Sequence, residues 1–233
     1  SILLRSQEHS DVDSSITAES FESICTRLKK ELKDEPSLNG LFNGISIPFI
    51  CPQNNGESDM GEDFEKITIP SVASSFKAEF PELHFKATLQ GKSTKLSGEL
   101  SVAKDSRYER FVKLQKKGPI AGWYFPQALQ EYDILSQRSQ MSSLPLPNSL
   151  VLSGGADIGA VLVGSPGMLI NKDEYPPVLC ISAYKHSDEK LMLCFKAYGH
   201  HLEFWCMSQM LTPNITQVSE QWSGGLTLFA PVF

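Results

Sequence analysis

The apolar residues of this chain of 233 residues change their spacing along its length, and this change constrains the fold more than any other feature. Between Thr17 and Asp34 they recur every three to four residues, which is the spacing of an amphipathic helix. Beyond Leu83 they occupy alternate positions or short β-branched runs between turn residues, which is the spacing of β-strands. The sequence therefore predicts an α+β protein with an N-terminal amphipathic helix.

That helix has clear start and stop signals. Thr17 can cap its first turn, and Pro36 prevents its continuation. The apolar positions that share one stripe are Phe21, Ile24, Cys25, Leu28 and Leu32. We expect this stripe to be buried against a sheet. Residues 1–16 are mostly polar and are expected to form a disordered or frayed N-terminus.

Two alternating segments, 83–89 and 96–102, surround a connection that contains Gly91. This arrangement predicts a central β-hairpin with one buried face. Two helices are expected to follow the hairpin. Asp105 is a suitable N-cap for the first, which ends at Gly118, and Pro126 suits the first turn of the second.

The C-terminal part of the chain consists of short apolar runs split by turns, among them 158–163, 178–184, 191–198 and 226–232. Their short connections favour a mostly antiparallel β-sheet, because a parallel crossover needs about a dozen residues. The Gly154-Gly155 pair is interpreted as a hairpin turn before a strand, since a phosphate-binding loop would require a helix there. Residues 53–65 are acidic and are expected to form a mobile loop within a single α+β domain, 17–233.

The middle of the chain is basic within an acidic protein. The whole chain has a net charge of −6, whereas residues 66–138 contain more basic than acidic side chains. On a helix over 104–117, several of these cations would share one face, which could bind the phosphates of a nucleic acid or another anion. The alternative is that they only solvate the outside of that helix. The candidate binding residues are Lys104, Arg107, Arg110, Lys113 and Lys117.

No sequence pattern specifies a catalytic centre, a metal site or a cofactor. The segment 200–206 contains histidine, glutamate and cysteine, but a strand would separate His200 from Cys206 by about 20 Å, too far for one ion. The nucleophile pattern G-x-S-x-G is absent. Five cysteines and five histidines still leave open an enzyme whose site assembles from dispersed residues.

The cysteines also bear on the compartment. Their number is odd, and the sequence has neither a C-x-x-C pair nor a secretory signal, so we expect free thiols in an intracellular protein, cytoplasmic or nuclear. No apolar run of about 18 residues predicts a membrane span. Because the chain does not begin with Met, we expect it to be processed or to be a fragment of a longer protein.

Three hypotheses on function follow. The first is a non-enzymatic protein-interaction module of a larger intracellular protein or assembly, with another protein as its partner. The second is binding of an anion or a nucleic acid through the basic helix 104–117. The third is a small enzyme with a dispersed Cys/His site. A deep pocket with convergent polar groups is expected of an enzyme, and a flat apolar patch of an interaction module.

Overall fold

The computed structural model describes residues 1–56, 59–89, 95–144, 147–170, 178–198, 201–208 and 222–232. These residues form helices and several sheets, and the α+β class predicted from the sequence is confirmed. The α-helices are α1 (Ile2–His9), α2 (Ala18–Lys33), α3 (Met60–Asp63), α4 (Ile69–Glu79), α5 (Glu109–Gln115), α6 (Ile134–Ser143) and α7 (Gly155–Gly164). The strands are β1 (Ile47–Cys51), β2 (Phe85–Leu89), β3 (Leu100–Val102), β4 (Ile120–Phe125), β5 (Leu150–Leu152), β6 (Val178–Cys180), β7 (Tyr184–His186), β8 (Leu191–Tyr198), β9 (His201–Ser208), β10 (Trp222–Ser223) and β11 (Leu226–Pro231).

The first sheet is antiparallel throughout, with strand order β1-β4-β11-β5, and its two faces pack against different helices. Successive residues of β1 point to opposite faces, as strand geometry requires. Ile50 packs in a cluster with Phe21 of α2, whereas Phe49 and Cys51 belong to the main core. Helix α7 packs against β1 as well. Helices therefore cover both faces of the edge strand β1.

The second sheet has the order β10-β6-β8-β9-β2, and a separate two-stranded sheet joins β3 to β7. Segments 83–89 and 96–102 do contain strands, but these strands do not pair with each other as expected. Strand β2 pairs in parallel with β9, and β3 pairs antiparallel with β7. Alternation marks a strand without identifying its partner, which explains the error. The connection 90–94 lies outside the described residues.

Helix α2 matches its prediction closely. The side chains of Phe21, Cys25, Leu28 and Leu32 are buried, and the helix packs against β4 and β11. Thr17 Oγ1 accepts a hydrogen bond of 3.2 Å from the Ser20 N–H, as an N-cap should.

The N-terminal residues form helix α1 and are not frayed, which corrects the expectation for residues 1–16. Leu3 and Ser6 are buried, and α1 packs against α7, β1 and α4. The Ser6 hydroxyl donates to the Ile2 carbonyl at 3.0 Å. A serine whose hydroxyl is hydrogen-bonded to the main chain can be buried. The polar composition of this segment therefore did not reveal that one face of α1 is buried.

The segment 53–65, for which a mobile loop was expected, contains helix α3 and the start of a π-helical turn where it is described; residues 57 and 58 lie outside the described part. Asp59 Oδ1 caps α3 by accepting hydrogen bonds from the Gly61 and Glu62 N–H groups at 2.9 and 3.0 Å. A π-helical turn, Phe64–Thr68, joins α3 to α4. Phe64 is buried in the core, where its ring meets Phe204 edge to face.

Helix α7 occupies the position where a strand over 158–163 was expected, so that prediction is wrong. Nearly all of its residues are buried, and it packs among α1, α4 and β1. A helix surrounded by protein can be apolar on every side and then lacks the amphipathic spacing that identifies helices. Its run of Ala160, Val161, Leu162 and Val163 resembled a buried strand for this reason.

Candidate functional site

The candidate site is a cleft with a volume of about 570 Å³. It lies between α7 on one side and, on the other, the π-helical turn, the start of α4 and the segment that follows β1. Binding pockets for small molecules usually have volumes of about 300–1,000 Å³. The size of the cleft is therefore suitable for a small organic ligand.

One face of α7 forms a wall of the cleft. Ala156, Gly159, Ala160 and Val163 follow the spacing i, i+3, i+4, i+7, and all of them line the cavity. A side chain at Gly159 would meet the Thr68 methyl Cγ2 at 2.2 Å, so α7 approaches the π-helical turn closely at this glycine. Small residues on this face leave room for the cleft, and no sequence signal marked them because the segment was interpreted as a strand.

The mouth of the cleft is held by hydrogen bonds of amide side chains. Asn54 Nδ2 donates to Asp63 Oδ2 at 2.8 Å, and Gly56 N–H donates to Asn54 Oδ1 at 2.8 Å. From α5, Gln115 Nε2 donates to the Pro52 carbonyl at 3.1 Å. These bonds fix the segment after β1 to α3 and α5, so this part of the rim is preformed.

The opposite part of the cleft offers hydroxyl groups. Thr68 ends the π-helical turn, and Ser71 lies in the first turn of α4. Neither hydroxyl hydrogen-bonds to a protein group within the described part of the chain. π-Helical turns are rare and occur often at functional sites. Thr68 and Ser71 are thus available to hydrogen-bond a ligand.

Behind the cleft lies a buried carboxylate, Asp157, in the first turn of α7. Its Oδ1 accepts hydrogen bonds from the Tyr108 hydroxyl at 2.8 Å and the Gly154 N–H at 2.9 Å. Its Oδ2 accepts one from Thr227 Oγ1 at 2.5 Å, and the Thr227 hydroxyl lies 2.8 Å from that of Ser153. Burial raises the pKa of Asp157 to about 6, although the hydrogen bonds from Thr227 and Tyr108 act in the opposite direction.

Tyr184 connects this network to the cleft. Its side chain lines the cavity, and its ring meets that of Tyr108 edge to face with centroids 5.6 Å apart. Burial and the nearby Asp157 carboxylate raise the pKa of Tyr184 far above its usual value, while polar contacts with Tyr108 and the Ala156 main chain act against that effect. Tyr184 is therefore a neutral hydrogen-bonding group at physiological pH, next to the Tyr108–Asp157 pair.

Cys51 lines the cleft without the environment of a nucleophile. Gln115 Nε2 donates to its sulfur at 3.1 Å, and the thiol donates to the Ala156 carbonyl at 3.7 Å. Burial and the nearby Asp157 raise its pKa far above the usual value, which suppresses the reactive thiolate. No histidine is among the described residues that line the cleft. The cleft thus brings together no Cys–His pair.

The basic residues predicted as a binding face do not share one helix. Helix α5 begins only at Glu109, so Arg110 and Lys113 lie on it, while Lys104 lies in the turn after β3 and Lys117 in the turn after α5. The prediction of a helix over 104–117 is therefore wrong for its first residues, 104–108.

Backbone geometry explains the late start of α5. Arg107 has a φ of 64°, which is outside the helical region. The buried Ser106 hydroxyl donates to the Ala103 carbonyl at 2.6 Å and accepts from the Tyr108 N–H at 3.2 Å, which stabilises a turn instead. Arg107 is half-buried, and its Nη2 donates to the Leu144 carbonyl at 2.9 Å. The other four candidate cations are exposed.

The histidine-rich segment forms part of β9. His201 stacks on His84 with ring centroids 5.1 Å apart, and Glu203 accepts a hydrogen bond from the Trp205 indole N–H. His200 lies outside the described residues. In the described part of the chain, no group of three or more His, Cys, Asp or Glu side chains is placed to hold a metal ion.

Comparisons with protein-family models, with curated proteins and with solved structures found no match for this chain. Over the residues that the structure describes, no helix has the length and apolar character needed to cross a bilayer.

Proposed function

We propose that this protein is a non-enzymatic binding protein whose cleft holds a small, largely apolar molecule with a neutral hydrogen-bonding group. The observation that supports this proposal is the cleft itself, at about 570 Å³ with a rim fixed by the Asn54–Asp63 and Gln115–Pro52 hydrogen bonds. A preformed cavity lowers the entropic cost of ligand binding.

The charges in the cleft favour a neutral ligand. Asp63 and Lys116 are the only Asp, Glu, Lys, Arg or His side chains among its described lining residues, and Asp63 is already hydrogen-bonded to Asn54. The remaining polar groups are hydroxyls and amides, which bind neutral donors and acceptors. Apolar contacts come from the α7 face and from Phe64 and Val112.

Two features favour binding over catalysis. Cys51 and Tyr184 are kept protonated by burial, so neither provides a nucleophile or a base near neutral pH. Asp157 carries a perturbed pKa, but Tyr108, Thr227 and Gly154 occupy its oxygens, and it stabilises the start of α7. We interpret that network as structural support for the cleft wall.

Ligand-observed NMR with a set of neutral fragments can test ligand binding. Each fragment carries an aliphatic or aromatic body and one amide or hydroxyl group. Ser71→Trp should fill the cleft and abolish binding of the fragments found. The matched control is Ala78→Trp, which places the same side chain on an exposed position of α4. Urea unfolding of both variants checks that they fold. Equal binding by wild type and Ser71→Trp would refute the proposal.

The protein-interaction hypothesis and the polyanion hypothesis remain proposals of a different class. The exposed large apolar side chains of the described residues, Leu4, Ile45, Ile67 and Leu135, lie on four separate segments of the chain. The exposed cations Arg110 and Lys113 on α5 do favour one specific alternative, the binding of a polyanion.

A further inference from the structure

A second cavity, of about 440 Å³, borders the segment that contains Tyr184. Helix α6 contributes Ile134, Leu135 and Arg138 to its wall, and the region from Ile181 to Leu193 contributes the rest. It shares only Tyr184 with the first cleft among the described lining residues. The second cavity is therefore a separate site.

Arg138 is held rigidly in this cavity by the main chain. Its Nε donates to the Ser182 carbonyl at 2.8 Å, and its Nη2 donates to the Tyr184 carbonyl at 2.7 Å. These bonds use the Nε–Nη2 edge of the guanidinium, so the Nη1–Nη2 edge keeps N–H donors for another partner. Two parallel N–H groups on that edge match the two oxygens of a carboxylate or phosphate.

No carboxylate neutralises Arg138 in the described part of the chain. Its contacts are backbone carbonyls, and the half-buried guanidinium has its pKa lowered by burial. The five salt bridges between described residues involve other cations. A partly buried cation without a counter-ion is costly, and an anion in the cavity would offset that cost.

The other polar groups around the cavity favour an anion as well. His186 Nδ1 accepts a hydrogen bond of 2.9 Å from the Asp188 N–H, so in the neutral ring the proton lies on Nε2, which can donate. Glu189 is paired with Lys185 at 2.8 Å, whereas Asp188 keeps its negative charge, because its Oδ1 accepts only from the Lys190 backbone N–H at 3.0 Å. The remaining cations of the lining, Arg138 and Lys190, outweigh this one carboxylate.

From this arrangement we infer that the second cavity binds an oxyanion, the carboxylate or phosphate group of a small molecule, through the Nη1–Nη2 edge of Arg138 with support from His186 and Lys190. The exposed Leu135 and the half-buried Leu191 provide apolar contacts for the body of such a molecule. The alternative is that Arg138 only ties α6 to the segment 182–184.

Inorganic phosphate and acetate serve as probes, titrated up to about 10 mM at constant ionic strength and followed by NMR shifts of backbone amides. For the wild type we expect saturable shifts around Leu191. Arg138→Lys loses the paired N–H groups and should bind each probe about tenfold more weakly, and Arg138→Gln should not bind either probe. The exposed Lys190→Glu should weaken binding about three- to tenfold, whereas Lys33→Glu on α2 should not change it.

If Arg138→Gln fails to fold, Arg138→Lys and Lys190→Glu still test whether the cavity binds an oxyanion. Lys190→Glu should fold, because Lys190 is exposed and makes no side-chain hydrogen bond that the fold requires. Unchanged affinity in both of these variants would overturn the inference and leave Arg138 a purely structural residue. Absence of saturable shifts in the wild type with either probe would overturn it as well.

Discussion

The Tyr108 hydroxyl donates a hydrogen bond of 2.8 Å to the buried carboxylate of Asp157 and so joins the residue before α5 to the first turn of α7. The Tyr108 ring lies so close to Gly154 that a side chain there would meet ring atoms at 2.4 Å. The Tyr108 side chain thus packs against Gly154, the N-cap of α7, and hydrogen-bonds to Asp157 three residues later. This contact holds α7 where its small residues form the cleft.

The first prediction concerns the pH dependence of stability. Folding raises the pKa of Asp157 from its usual value of 3.8 to about 6, so between these values the folded protein binds a proton more tightly than the unfolded chain. The contribution of Asp157 to the free energy of unfolding therefore falls as pH rises through this window, by about 2–3 kcal/mol in total. Asp157→Asn should remove this contribution.

Urea unfolding at about pH 4.5 and pH 7 measures this effect as the difference between wild type and variant. In Asp157→Asn, the amide oxygen can still accept from Tyr108 and Gly154 while the NH₂ group donates to Thr227, so the fold should persist. The exposed Asp105→Asn is the matched control. If Asp157→Asn and Asp105→Asn show the same pH dependence, Asp157 does not titrate as proposed.

The second prediction concerns the packing of α2. Leu28→Ala should lower the free energy of unfolding by about 2–5 kcal/mol, because Leu28 is 1% exposed and its removal leaves a cavity. Thr26→Ala, at an exposed position of the same helix, should change it by less than about 0.5 kcal/mol. Chemical denaturation of both variants provides the comparison. A small effect of Leu28→Ala would mean that α2 does not contribute to the core.

How well the sequence predicted each element depended on whether its signal was local. Helix α2 was predicted correctly because Thr17, Pro36 and the apolar stripe all lie within or beside it. The strands β2 and β3 were located by alternation, but their partners β9 and β7 lie about a hundred residues away in the chain and leave no local trace. Strand pairing of this kind depends on tertiary packing.

The candidate site escaped prediction for a related reason. Helix α7 is buried on all sides, so its apolar run lacks helical periodicity, and the spacing of Ala156, Gly159 and Ala160 has meaning only once the helix is known. Arg107 shows the opposite case. The regular spacing of charges predicted that Arg107 lies in a helix, but the hydrogen bonds of Ser106 and the left-handed φ of Arg107 prevent a helix at this position. Side-chain hydrogen bonds to the backbone compete with helix formation at such positions.

The third prediction concerns the cysteines. In the structure all five are buried free thiols, so titration of the denatured, non-reduced protein should count five thiols per chain. In the native protein they should react slowly near neutral pH, because burial raises the pKa of Cys25 to about 12 and that of Cys206 to about 11. A count of three or fewer, with air oxidation excluded, would contradict the assignment of free thiols.

The fourth prediction tests the polyanion hypothesis on the exposed part of the basic segment. If Arg110 and Lys113 contact phosphates, the double change Arg110→Glu, Lys113→Glu should weaken binding to single-stranded DNA and reduce its salt dependence. Thermal stability should change little, because exposed charges contribute about 0–1 kcal/mol each. Arg107 is left unchanged because its bond to the Leu144 carbonyl supports the fold.

Binding isotherms at several salt concentrations measure this prediction, with Lys30→Glu, Lys33→Glu at two exposed positions of α2 as a charge-matched control. Equal loss of affinity in both double variants would indicate a nonspecific effect of net charge. Retained affinity in Arg110→Glu, Lys113→Glu would show that these cations only solvate α5.

The most direct test of the central claim, that the cleft beside α7 is a binding site, is NMR mapping of backbone amides in isotope-labelled protein with a neutral fragment. We predict that the perturbed amides cluster at Gly56, Gln115, Ala156 and Gly159, which line the cleft, and that Ser71→Trp removes these perturbations. Perturbations confined to other surfaces, or unchanged in Ser71→Trp, would contradict it.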